Sequence, residues 1–255
     1  WWNGRFEFSG FQNPFCFKNS SGEGSSKSVS SGGGCVINSS STGTKQLSLA
    51  SNAWVDAHKL GTGAYKITLD SGSVFDLHGK NLNFSALSGS GSLRNFGLLS
   101  KTASGTATYS ADLKGSGRLV INGDGTHTLA GTNSYTGTTT IDKGTLKVTG
   151  SLSNSTAVTV AKDATYEVAS TDTIGSIAGA GSIQLETNKT LTSGGKNAST
   201  TVSGVISGAG SFTKAGTGTT TFSGSNTYTG ATSINAGTLK VKGPLSNSTA
   251  VSVAQ

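Results

Sequence analysis

Methionine is absent from the 255-residue chain, proline and cysteine each occur twice, and charged residues make up only 12%. Apolar residues reach 33%, below the ~45–50% of an ordinary globular domain. No stretch approaches the ~18 consecutive apolar residues of a membrane-spanning helix, and no signal-peptide pattern is read in these residues, any secretion signal being expected outside them. There is no C-x-x-C, no H-E-x-x-H, no G-D-S-G-G and no G-x-x-x-x-G-K-[S/T]. These absences remove the motifs of zinc ribbons, zincin proteases, serine proteases and phosphate-binding loops. Calcium-binding G-G-x-G-x-D repeats are excluded as well, because aspartate does not recur at any fixed spacing.

The net charge is +7 and the isoelectric point about 9.4, which permits attraction to anionic surfaces. The lysines stand singly (Lys80, Lys101, Lys114, Lys143, Lys162, Lys189) and form no run. Without a basic motif or a stacking pattern of aromatics, no nucleic-acid partner is expected. A solvated, lysine-dotted surface is expected instead. Cys16 and Cys35 bracket a flexible Ser/Gly-rich segment with no metal-ligand pattern. They read as a disulfide, two unrelated thiols being the alternative, and a disulfide implies an oxidising compartment. By loop entropy it would contribute on the order of 3 kcal/mol.

Glycine, serine and threonine are abundant: 38 glycines, with serine and threonine together at roughly 30%. So low an apolar content would fit disorder, but the pattern is periodic. Residues 115–161 align without a gap to residues 208–254, 93 positions on, with 28 of 47 identical. "GTNSYTGTTTIDKGTLKV" in the first copy becomes "GSNTYTGATSINAGTLKV" in the second. A shorter phrase also recurs: an apolar residue, G-[S/A]-G, then an apolar residue, at Gly89, Gly115, Gly179 and Gly208. Glycine supplies positive φ without steric cost, so each phrase predicts a tight corner between short strands. The intervals between these glycines predict coils of roughly 20–30 residues.

Between corners the chain alternates at period two, as in Tyr65–Leu69, Ser73–Leu77, Thr145–Val148, Ala157–Ala161 and Thr165–Ala169. No i, i+3, i+4 pattern persists beyond two turns, so helix is expected to be minimal. Short strands at regular spacing fit a sandwich or a solenoid, and the long repeat favours the solenoid. The expected fold is therefore all-β, a right-handed parallel β-helix. It would span residues 46–255, with coils stacked at about 4.8 Å in a rod on the order of 50 Å long. In the repeat, Gly230 and Gly237 are expected to turn the chain, and Ile234, Leu239 and Val241 to fill the inner ladder. Thr232 and Lys240 are expected to face water, and Tyr228 to pack near a corner.

Residues 1–45 are read as a cap on the open coil end. Trp1, Trp2, Phe6, Phe8, Phe11, Phe15 and Phe17 crowd the first 17 positions, and exposed strand edges need covering. The functional alternative is an aromatic interaction surface formed by Trp1, Trp2, Phe6, Phe8 and Phe11. Two Asp-x-His pairs, Asp56/His58 and Asp76/His78, would share a face on a strand. Such a pair can orient an imidazole for acid–base work, but solvated surface pairs are the expectation. No catalytic, cofactor-binding or metal-binding residue is expected.

Residues 216–241, "GTGTTTFSGSNTYTGATSINAGTLKV", closely resemble the autotransporter-associated β-strand repeat of Gram-negative bacteria. Residues 123–148 resemble it with Ser134 in place of threonine and Asp142-Lys143 in place of Asn-Ala. The resemblance implies the passenger domain of an autotransporter, exported to the cell surface through a C-terminal outer-membrane β-barrel. The chain starts at Trp1 and ends inside a repeat, and is expected to be a fragment of such a protein. Implied partners are a host cell surface, extracellular matrix or another copy of the chain. The leading expectation is a secreted or surface-bound adhesin or self-association module that is not an enzyme. A vacuolating-type toxin fragment oligomerising on a host membrane and a carbohydrate-active β-helix enzyme are the alternatives.

Overall fold

The computed structural model describes residues 26–29, 34–38, 45–59, 63–95, 97–102, 104–246 and 250–254. The aromatic cluster of the expected cap and the Cys16–Cys35 pairing lie outside the described residues. Among the described residues every element is a strand and every strand pair is parallel. The architecture is a parallel β-solenoid of about 10 turns.

Each turn crosses three walls. The first wall includes Leu98–Lys101, Ala157–Val160, Ser176–Gly179, Thr200–Val202, Thr219–Phe222 and Thr238–Val241. The second includes Ser26–Val29, Lys45–Leu49, Tyr65–Leu69, Ala107–Tyr109, Thr165–Val168, Ser182–Leu185 and Ile206–Gly208. Three longer strands, Leu82–Gly89, Arg118–Leu129 and Thr139–Val148, bend through the corner between these walls and join them into one 16-stranded sheet. The third wall is built from two five-stranded sheets. One runs from Gly34–Asn38 to Asp112–Lys114 and the other from Asp172–Ile174 to Val251–Val253. Strand partners lie about one turn apart in sequence, 20 residues at Gln46↔Lys66 and Leu119↔Thr139, and 19 at Thr219↔Thr238.

Alternation explains why these segments pair as they do. On the first wall Ile121, Ile141 and Val160 stack in register and are almost fully buried, while Val120, Thr140 and Thr159 form the outward column. Burial of each such aliphatic side chain contributes about 1.5–3 kcal/mol. A one-residue slip would turn this whole column to water, which fixes the register.

The G-[S/A]-G phrases are corners, as expected. Gly89, Gly115, Gly179 and Gly208 all have φ between 94° and 123°. The corners do not mark one edge of the prism, however. Gly179 joins the first wall to the second, Gly89 and Gly208 join the second to the third, and Gly115 joins the third to the first. Successive corner phrases are therefore separated by whole turns plus one wall, so their spacing overstates the length of a turn.

The same reasoning applies to the 93-residue repeat, which advances four turns and two walls. Asn133 of the first copy bonds to Leu113 on the third wall, and its counterpart Asn226 bonds to Ile206 on the second. The two copies of one phrase thus face different sides of the solenoid.

Candidate functional site

The repeated phrase N-[S/T]-Y-T-G is the densest set of shared contacts. In the first copy Leu113 N–H donates to Asn133 Oδ1 at 3.2 Å, and Asn133 Nδ2 donates to Gly131 O and Ser151 O at 2.9 Å. The Asn133 backbone N–H donates to Ser151 O at 3.0 Å. In the second copy Ile206 N–H donates to Asn226 Oδ1 at 3.0 Å, Asn226 Nδ2 to Gly224 O at 3.0 Å, and Asn226 N–H to Pro244 O at 2.9 Å. Every partner is shifted by the same 93 positions. The buried asparagine amide stands in for a peptide group where the chain turns out of strand geometry, so the coil-to-coil ladder is not broken.

Two residues on, Tyr135 and Tyr228 fill the interior, and their hydroxyls hydrogen-bond Thr139 and Thr232. The sequence placed Thr232 in water; the structure buries it completely. The reason is the tyrosine hydroxyl, which needs a buried partner that a threonine on the inner face supplies. Thr156 closes the first-copy network by donating to Tyr135 O at 2.7 Å. Ile234, Leu239 and Val241 occupy the inner-ladder positions whose first-copy counterparts Ile141, Leu146 and Val148 are almost fully buried. Leu239 is half-buried and Val241 is 40% exposed, because no further described strand pairs with theirs; Ile234, paired with Val253 of the last described strand, is half-buried.

Asp172 does the same work with a carboxylate. Leu152 N–H donates to its Oδ2 and Thr173 N–H to its Oδ1, each at 2.9 Å. Burial pushes its carboxyl up to about 6, against the pull of these two donors. Between the ordinary carboxyl value near 4 and this one, the folded chain holds more protons than the unfolded chain. Stability contributed at this site therefore falls as pH rises through that window. Asp172→Asn keeps an acceptor for Leu152 and removes the charge. It is expected to raise stability by about 1 kcal/mol at neutral pH, after allowance for partial solvation. The gain should vanish near pH 4 in thermal melting followed by circular dichroism.

The remaining candidates are distributed. Trp1, Trp2, Phe6, Phe8, Phe11 and Cys16 lie outside the described residues, and so does the side chain of Cys35, whose backbone runs in the strand Gly34–Asn38. Asp56 and His58 share the strand Trp54–Lys59. Asp76 and His78 do not form the same-face pair the spacing predicted. The strand Val74–Asp76 stops at the aspartate, and His78 sits in the following turn at φ 43°. The Asp76 carboxylate instead accepts the His78 backbone N–H at 2.9 Å, capping the turn. Among the described residues no cluster of three or more His, Cys, Asp or Glu is placed to hold a metal ion.

Two lysines depart from the solvated surface that was expected. Lys101 and Lys214 are each 1% exposed, inside the solenoid. Nothing in their sequence neighbourhood marks them; only their in-register partners Ile121 and Ile234 reveal inward positions. Other charges clamp coils from outside: Lys147 Nζ lies 2.7 Å from both Glu167 and Glu186, and Lys143 Nζ lies 2.9 Å from Asp124.

These contacts give the phrase a chemical content: it satisfies backbone groups and fills corners. Two segments, residues 119–148 and 212–241, match the model of the passenger-associated-transport-repeat family. They span equivalent stretches of the two copies, from the strand after a G-[S/A]-G corner to the end of the T-L-K-V strand. Comparison with curated proteins and with solved structures gives no match. The chain carries two passenger-associated transport repeats and through them resembles the passenger domains of autotransporters.

Proposed function

We propose that the chain is part of an exported autotransporter passenger, delivered to the cell surface through a C-terminal outer-membrane β-barrel. In this reading it works as an adhesin or self-association module and not as an enzyme. The family description ties the repeat to transport of the passenger, and its contacts are spent on stacking. Winding is taken as right-handed, the hand that parallel strand crossovers adopt.

The observation that carries the binding role is the outer surface of the first wall. Thr140 and Thr159 lie in register with Ala178 near its middle, and Thr201 with Thr221 further along. Between Arg118 and Lys240 the stretches that lie on it, Leu119–Ile121, Thr139–Ile141, Ala157–Val160, Ser176–Gly179, Thr200–Val202 and Thr219–Phe222, hold no charged residue; Asp142 and Lys143 follow at the corner. A flat wall of hydroxyls and methyls at strand spacing suits another extended, uncharged surface, a second solenoid being the simplest.

Sedimentation velocity at micromolar concentration tests this reading. Reversible association is expected, and a Thr159→Glu/Thr221→Glu variant, whose charges are not on adjacent strands, should sediment as a monomer with unchanged melting. A parent chain that stays monomeric and binds neither host cells nor matrix would overturn the proposal.

A further inference from the structure

The repeat turns a corner after the strand that follows its G-[S/A]-G phrase, between the first and second walls in the first copy and between the third and first in the second. Each copy satisfies an inward-pointing carbonyl there differently. In the first copy the ladder shifts register between Ile121 and Thr126, and the loop turns its Gly123 carbonyl into the tube. His127 Nε2 lies 3.1 Å from Gly123 O. In the second copy the equivalent carbonyl is that of Gly216, and the ammonium of Lys214 donates to it at 2.7 Å. The same ammonium donates to Ala236 O at 3.3 Å and to Ala215 O. The counterpart of Lys214 in the first copy is Ile121, and the counterpart of His127 in the second is Thr220. One structural requirement is thus met once by an imidazole and once by an ammonium.

His127 is completely buried. Its ring stacks on Tyr109 with centroids 6.4 Å apart, and its Nδ1 lies 3.4 Å from the Tyr109 hydroxyl. One neutral tautomer satisfies both contacts: Nε2–H donates to Gly123 O while Nδ1 accepts from the phenol. A second proton at Nδ1 would displace the phenol proton and place a charge where no carboxylate answers it. The groups around the ring bear this out. From the strand Leu98–Lys101 the inward titratable group is Lys101, which repels an imidazolium. From Ala107–Tyr109 it is Tyr109, its hydroxyl held protonated by burial. From Thr139–Val148 the paired residue is Leu146, and Lys147 beside it points outward to Glu167 and Glu186. On its own strand, Asp124 is exposed and engaged with Lys143.

We propose that the first-copy corner is an acid-opened latch: as pH falls, His127 takes up a proton and the strands Ala107–Tyr109 and Arg118–Leu129 loosen around it, while the lysine-held corner of the second copy stays closed. Burial, the largest influence, and Lys101 both hold the imidazole below its ordinary value of 6.5, outweighing its bond to Gly123. The folded state then binds fewer protons than the unfolded state, and local stability falls as pH drops below about 6.5. Burial also lowers Lys214, but from an ordinary value of 10.5. It already donates to three carbonyls as an ammonium, so acid adds nothing there.

Hydrogen–deuterium exchange of the whole chain at about pH 7.5 and about pH 5, corrected for the intrinsic exchange rate, compares both corners in one molecule. Peptides covering residues 118–129 should lose protection by up to about 30-fold relative to those covering 211–222. His127→Gln should abolish that difference. Equal responses at the two corners, or the full parental pH response in a folded His127→Gln chain, would overturn the proposal. If the variant does not fold, the comparison of the two corners within the parent chain still decides.

Discussion

Gly115→Ala and Gly208→Ala are each expected to destabilise their part of the solenoid by about 4 kcal/mol. The left-handed conformation accounts for about 1–2 kcal/mol and overpacking for about 1–3. Both residues hold φ just above 100°, and a Cβ on either would lie 2.1 Å from a backbone carbonyl of the preceding coil, Asn95 O or Leu185 O. Gly105 separates the two causes. It has φ 103° but nothing within 4 Å of a Cβ, so Gly105→Ala should cost only about 1 kcal/mol. Chemical denaturation gives the difference. Similar losses in all three variants would show that the corners do not depend on coil-to-coil contact.

Asn133→Leu and Asn226→Leu are expected to cost about 3 kcal/mol each. Leucine fills the volume but strands the buried Leu113 or Ile206 N–H at about 1–3 kcal/mol, and removes a side-chain donor from the carbonyls of Gly131 and Ser151, which keep backbone donors, or from that of Gly224. A solenoid is held chiefly by nearest-neighbour contacts, so the damage should be local. Exchange of the Leu113 amide should rise in the first variant and that of the Ile206 amide in the second. Asn133→Asp should fall between, keeping the acceptor while losing two donors and burying charge.

Strand alternation and corner glycines were legible because they are properties of neighbouring residues: Tyr65–Leu69 buries its odd positions as its pattern requires. The turn length was not. The corner phrase recurs on all three edges, and a sequence interval cannot separate whole turns from extra walls. Polar interior positions were hidden for a related reason. Thr139, Thr232 and Lys214 occupy inward positions of alternating strands, and only contacts a turn away reveal why polarity is tolerated there. Asn133 and Asn226 could be seen to repeat, but their role needs the amides of Leu113 and Ile206, one coil back. Asp76 and His78 misled because a strand was assumed to continue where the carboxylate ends it.

The central claim is that the repeated phrase serves stacking, and that binding belongs to the walls. The two copies face different sides of the solenoid, which a motif reading one ligand surface would not do. Thr132, Ser134, Thr136, Ser225, Thr227 and Thr229, within and just before the two N-[S/T]-Y-T-G phrases, are exposed. Sedimentation velocity of a chain with all six changed to alanine, with melting as the control for folding, tests the claim most directly. The account predicts self-association and melting unchanged from the parent; loss of association at unchanged melting would contradict it.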